Sequence, residues 1–109
     1  MILGIGTDIA EVCRFKSMNE RMLERILSPQ DLEYISKYKE PATHIAGFWA
    51  AKEALVKALN RKDLDFSQIS ILHEESGKPF FSFVPEKGVL NLSISHENSF
   101  AVAFVVWSL

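Results

Sequence analysis

Along residues Ile2 to Ile9 two kinds of position alternate. Gly4, Gly6 and Asp8 fall on one side, and Leu3, Ile5, Thr7 and Ile9 on the other, which predicts a strand. Two glycines on one face leave a trough into which another element can pack closely. Arg14 to about Leu27 reads as a helix. Ser28-Pro29-Gln30-Asp31 then reads as a fresh start, with a serine N-cap, proline at the first helical position and an acid in the first turn. This second helix is predicted to run to about Lys39, ahead of the break at Pro41. Thr43 to Asn60 predicts a third, longer helix.

The remainder reads as sheet. Ile69 to Glu74 and Phe80 to Val84 are short apolar-rich runs, joined by a turn at Glu75-Ser76-Gly77-Lys78-Pro79. Leu90, Leu92 and Ile94 alternate with Asn91, Ser93 and Ser95, the signature of a half-buried strand. Phe100 to Trp107 is apolar throughout, so it should be buried on both sides, by a helix or by another subunit. The class is α+β, with an antiparallel sheet packed on a long buried central helix.

That central helix is unusual. Between Thr43 and Asn60 the only full charges are Lys52, Glu53 and Lys57, so the segment has no proper solvent face. Glu53 and Lys57, four residues apart, share a face with Trp49. An ionised glutamate on a mostly buried helix needs a cation, a metal or several hydrogen bonds. Asp8 offers a second carboxylate if the helix packs on the glycine face. Two neighbouring carboxylates repel unless a cation lies between them. Oxygen ligands without a cysteine cluster favour magnesium, completed by water and substrate phosphates. This reading reaches metal-dependent phosphate chemistry and no further.

Composition narrows the field. The 109 residues suit a single domain, 48% are hydrophobic and 24% charged, and the formal charge is −2. That charge argues against bulk attraction to nucleic acid or an anionic membrane. One cysteine, Cys13, excludes an internal disulfide. No run approaches the length of a membrane span, and the N-terminus lacks the features of a signal peptide, so a cytoplasmic protein is expected. On a helical wheel Arg14, Met18, Arg21 and Arg25 form one sector, sorted away from Glu20 and Glu24. Arginines around an apolar anchor suit an acidic protein partner better than a nucleic acid. A non-catalytic module that docks such a partner through this stripe is the alternative to an enzyme.

Gly4-Ile5-Gly6-Thr7-Asp8-Ile9 and Phe48-Trp49-Ala50-Ala51-Lys52-Glu53-Ala54, with Lys57 one turn later, resemble the two signature stretches of the holo-acyl-carrier-protein synthases. Gly77-Lys78-Pro79 and Ser93-Ile94-Ser95-His96 match two further family stretches, in the right order. The resemblance implies a 4′-phosphopantetheinyl transferase-like fold. It implies transfer of 4′-phosphopantetheine from coenzyme A to a serine of apo-acyl carrier protein, with release of 3′,5′-ADP, in support of fatty acid biosynthesis. By the same resemblance Asp8 and Glu53 hold Mg2+, and Glu53 and Lys57 are catalytic. Whether Glu53 or a metal-bound water takes the serine proton stays open. Lys52, Lys57, Gly77, Lys78, Pro79, Ser95 and His96 would bind coenzyme A, and Arg14, Met18, Arg21 and Arg25 the carrier. A homotrimer with active sites between subunits is implied. The chain departs from the family at Phe48, where arginine is usual, and at Glu97. His44 and His73 have no motif context and read as structural, and Trp49 as core.

Overall fold

The computed structural model describes residues 1–109. The first strand, β1, spans Ile2–Glu11, and a single 3-10 turn follows at Val12–Phe15. Three helices come next, α1 (Glu20–Ile26), α2 (Pro29–Ile35) and α3 (Ala42–Leu59). Then come a short hairpin, β2 (Ile71–His73) with β3 (Pro79–Phe81), and two long strands, β4 (Val89–His96) and β5 (Phe100–Ser108). The main sheet is antiparallel in the order β1-β5-β4, so the last strand lies at its centre. The α+β class with a central helix is thus met.

α3 lies across one face of this sheet, held there by the trough in β1. A Cβ at Gly6 would collide with the carbonyl of Ala54, and one at Gly4 with that of Ala58. On β5 the inward positions are Ala101, Ala103 and Val105, each fully buried. Small residues on helix and strands bring the backbones close, while Ile45, Phe48 and Leu55 fill the remaining core. The helix ends at Asn60 in the left-handed conformation, φ 53°, a common C-terminal stop.

Only one face of β5 is covered. Ile5, Ile9 and Phe104 stand on the opposite face at 68%, 62% and 57% exposure, and Ile5 and Ile9 flank Val106 and Val102 across the β1–β5 ladder. The expected double burial of the last strand is therefore met by a helix on one side and by nothing within the chain on the other.

The expected helix from Arg14 to Leu27 is corrected. Its first part is the 3-10 turn, and α1 begins only at Glu20. Asn19 is extended, and its side chain accepts a 2.9 Å hydrogen bond from the Met22 amide. That local cap competes with continued helix and starts a new one. The second start is as read: Ser28 Oγ accepts from the Asp31 amide and Asp31 Oδ2 from the Ser28 amide, a full capping box. α2 stops at Ile35, short of Lys39, where Ser36 Oγ turns back to donate to the Glu33 carbonyl at 2.6 Å. The hairpin strands are shorter than expected, and Gly77 at their turn has φ +96°, which favours glycine.

Replacing Gly6 by alanine tests the trough. The new methyl can be relieved only by moving α3 off the sheet, so a loss of about 3 kcal/mol or more is expected in urea unfolding. A loss below about 0.5 kcal/mol, within the range of a neutral surface change, would show that the close approach is not needed.

Candidate active site

Asp8 shares the inward face of β1 with Gly6, and Glu53 and Lys57 reach it from successive turns of α3. Lys57 Nζ donates to the Thr7 carbonyl at 2.9 Å and lies 3.4 Å from Asp8 Oδ1. Glu53 is half-buried. Its pKa is raised above the ordinary glutamate range, first by burial and then by the negative charge of Asp8, while Lys57 and Arg14 pull it back. The two carboxylates therefore feel one another across the trough. No set of three His, Cys, Asp or Glu side chains gathers in a form that could hold a metal. The donors present are one carboxylate pair, all hard oxygen. That set fits magnesium, which is usually held by one or two carboxylates with water and phosphate oxygens.

Beside Glu53 a groove of about 420 Å³ runs between α1 and α3, with Arg25, Trp49, Lys62 and Phe66 among its walls. Trp49 meets Phe66 edge to face at 5.4 Å, and the Arg14 guanidinium lies 5.8 Å from the Trp49 ring. Trp49 is thus half core, as read, and half groove wall. The arginine stripe is assembled differently from the expectation. Arg14 belongs to the 3-10 turn, while Arg21 and Arg25 lie one turn apart on α1, so no single helical face carries all three. Met18 is half-buried and packs against the core. Met22, at 44% exposure, is the methionine that α1 presents to solvent in place of Met18.

Lys52 is a further correction. Its side chain is fully buried, and Nζ donates to Asp31 Oδ2 at 2.6 Å and to the carbonyls of Ile26 and Phe66 at 2.8 Å each. An ammonium has three donors, and all are engaged, so none remains for a coenzyme A phosphate. Burial lowers the Lys52 pKa and Asp31 opposes that shift. Lys52 is a structural cation, although it neighbours Glu53 in sequence.

Gly77, Pro79 and His96 come together around a second cavity, of about 190 Å³, which Tyr34, His44, Phe48 and His73 also line. His44 and His73, read as structural, are thus wall residues of this cavity; three isolated histidines in the chain give no one-dimensional sign of it. Phe48 is core, packed 5.5 Å from Tyr34 between ring centroids. Lys78 lies outside, in a shallow depression beside Leu90 and Leu92. Ser95 is not brought to the cavity either. Adjacent positions of a strand face opposite ways, so Ser95 points away from His96, toward the uncovered sheet face. Nine residues separate His44 from Glu53 on α3, about 180° of helical rotation. The carboxylate pair and the histidine cavity therefore lie on opposite flanks of the helix.

Two substitutions test these electrostatics. Lys52→Met strands a buried carboxylate and should cost about 3–5 kcal/mol in chemical unfolding; a cost under 1 kcal/mol would remove Lys52 from the structural role. Glu53→Gln should act oppositely. A raised folded-state pKa means that stability falls as pH climbs from the ordinary glutamate range through the raised value, and stays lower above it. In metal-free buffer the glutamine variant should melt higher than the parent at pH 7 and equally with it below the ordinary glutamate range. A lower melting temperature at pH 7 would contradict the repulsion between Asp8 and Glu53.

The pattern of the 4′-phosphopantetheinyl transferase superfamily matches residues 4–105. The holo-[acyl-carrier-protein] synthase of Protochlamydia amoebophila is 39% identical over 99% of each chain. Among solved structures, a Bacillus anthracis holo-(acyl-carrier-protein) synthase in complex with coenzyme A (3′,5′-ADP) superposes with a TM-score of 0.90 at 38% identity, covering 98% of this chain and 96% of that one. The Helicobacter pylori holo-[acyl-carrier-protein] synthase in complex with coenzyme A gives 0.80 at 38% identity, covering 95% of this chain and 99% of the other. Likeness of this extent, over nearly the whole chain, places it in the 4′-phosphopantetheinyl transferase superfamily.

Proposed function

We propose that this protein transfers 4′-phosphopantetheine from coenzyme A to a serine of an apo-acyl carrier protein. The observation that carries the reading is the Asp8–Glu53 carboxylate pair with Lys57 anchored beside it. The relatives named as holo-acyl-carrier-protein synthases, two of them bound to coenzyme A, support the same substrates here.

In the reaction the serine oxygen forms a bond to the β-phosphorus of coenzyme A. The bond from that phosphorus to the bridging oxygen breaks, and 3′,5′-ADP leaves with the electron pair. Asp8 and Glu53 would hold Mg2+, which when bound neutralises charge on the pyrophosphate oxygens. Lys57, tethered to the Thr7 carbonyl and to Asp8, has a third donor left for a phosphate oxygen and is fixed beside the carboxylates. Glu53 lines the groove by which a carrier serine would approach, within reach of the proton that serine must lose. Arg25 shares the groove wall with Glu53, Arg14 lies against Trp49 of the same wall, and Arg21 stands one turn before Arg25 on α1. Acidic carrier surfaces suit these cations. A purely docking module is less well supported, because it gives the carboxylate pair no role.

The site is divided. The carboxylates lie on one flank of α3 and the nucleotide-end residues Gly77, Pro79 and His96 on the other, which favours one coenzyme A held between two copies. The uncovered face bearing Ile5, Ile9 and Phe104 is apolar enough for association between copies. A homotrimer with each active site shared by two neighbours accounts for both facts, in keeping with the family resemblance. No helix is long and apolar enough to cross a membrane; the working location proposed is the cytoplasm, in service of fatty acid biosynthesis.

Mass spectrometry of an apo-carrier after incubation with the protein, coenzyme A and magnesium should show one added phosphopantetheine. Asp8→Asn and Glu53→Gln should each slow that transfer by about a hundredfold or more. An unmodified carrier with the parent protein would reject the reading. Arg14→Glu and Arg21→Glu should each weaken carrier binding by about 1–3 kcal/mol and leave coenzyme A affinity unchanged. Unaltered carrier kinetics in both variants would place the docking surface elsewhere.

A further inference from the structure

All three histidines of the chain meet at the 190 Å³ cavity. His44 comes from the first turn of α3, His73 from the end of β2 and His96 from the end of β4. The rings of His44 and His96 meet edge to face at 5.4 Å. Tyr34 stacks on His73 at 4.3 Å and Tyr38 on His44 at 3.9 Å, so both imidazoles are held in place by aromatic neighbours. The two tyrosine hydroxyls bond to each other at 3.2 Å rather than to the histidines. No hydrogen bond within the chain engages any of the three imidazoles, and none of their nitrogens is buried without a partner, so they are accessible at the cavity they line.

The surroundings of His44 and His73 oppose a charge on either ring. Burial lowers the pKa of His44, and the fields of His96 and His73 lower it further. Burial also lowers that of His73, with Asp31 opposing and Lys37 adding to the shift. The other charged groups nearby, Glu74, Glu75 and Lys78 on the hairpin and Glu97 after β4, are exposed and screened. An anion would reverse this balance, because it supplies the missing negative charge and accepts hydrogen bonds that only imidazolium can donate from both nitrogens. A metal fits less well, since no three such donors gather in a form that could hold one.

We propose that the three-histidine cavity is a proton-linked phosphate subsite: it takes up a phosphate group of the nucleotide half of coenzyme A together with a proton, and it lets 3′,5′-ADP go as the rings lose that proton. This rests on the transferase reading, in which that nucleotide is the leaving group. It adds that His44 and His73, which lie outside the matched motifs, set how nucleotide affinity varies with pH.

The test is calorimetry of 3′,5′-ADP binding to the full-length protein in pairs of buffers with different ionisation enthalpies. Near pH 7 binding should take up about one proton, and affinity should be roughly tenfold higher at pH 6 than at pH 8, the equivalent of one pKa unit gained on binding. Adenosine, which lacks phosphate, should bind with no proton uptake. Histidine ring signals in NMR titrations assign the proton directly: those of His44 and His73 should titrate about one unit higher when 3′,5′-ADP is bound. His44→Gln and His73→Gln should each reduce the uptake. Binding of 3′,5′-ADP with no proton uptake and unshifted histidine titrations would overturn the subsite and leave the transferase reading standing. Failure of 3′,5′-ADP to bind at either pH would overturn both.

Discussion

The buried contact between Lys52 and Asp31 organises the helical half of the molecule. α1 and α2 have seven residues each, too few to be stable alone. Lys52 reaches from α3 to the last carbonyl of α1 and to that of Phe66, which opens a second 3-10 turn at Phe66–Gln68, while Asp31 accepts from the start of α2 and from the Ile71 amide of β2. One ammonium and one carboxylate thus join five segments. Taking both charges out of water is costly, and the network is tolerable because its donors and acceptors are matched. Its consequence is positional. The C-terminal end of α1, with Arg25 and Ile26, is fixed against the groove that Glu53 lines.

The opposite half depends on the glycine trough. Without side chains at Gly4 and Gly6, α3 settles onto β1 closely enough for Lys57 to bond the Thr7 carbonyl and for Asp8 to act on Glu53. α3 is therefore the common axis of the carboxylate pair and the histidine cavity. The same geometry separates them, because the helix that carries Glu53 on one flank carries His44 on the other.

Much of this could be read along the chain. The strand with two glycines, the helix without a solvent face and the Ser28 start each left a local pattern that the fold preserved. The break at Asn19 did not, because its capping bond replaces helix with a fresh helix and leaves the charge periodicity almost unchanged. Lys52 was misassigned because its partner Asp31 lies 21 residues away, and sequence adjacency to Glu53 says nothing about which way a neighbouring side chain points. His44 and His73 were missed for a related reason. Their meeting depends on how the β2–β3 hairpin and α2 pack on α3, a tertiary fact with no local signature. Ser95 was placed in the site by its motif, yet strand alternation alone turns it away from His96.

The central claim is that the carboxylate pair of one copy works with the histidine cavity of another. Co-expressing a Glu53→Gln chain with a His96→Glu chain tests it most directly, each homo-oligomer being defective in transfer. In randomly mixed trimers a site built from two neighbours regains an intact Glu53 from one chain and an intact His96 from the next in about a quarter of cases. The account predicts recovery of about that share of parent activity. No recovery, with mixed oligomers verified by native mass spectrometry, would mean that each chain holds a complete site of its own.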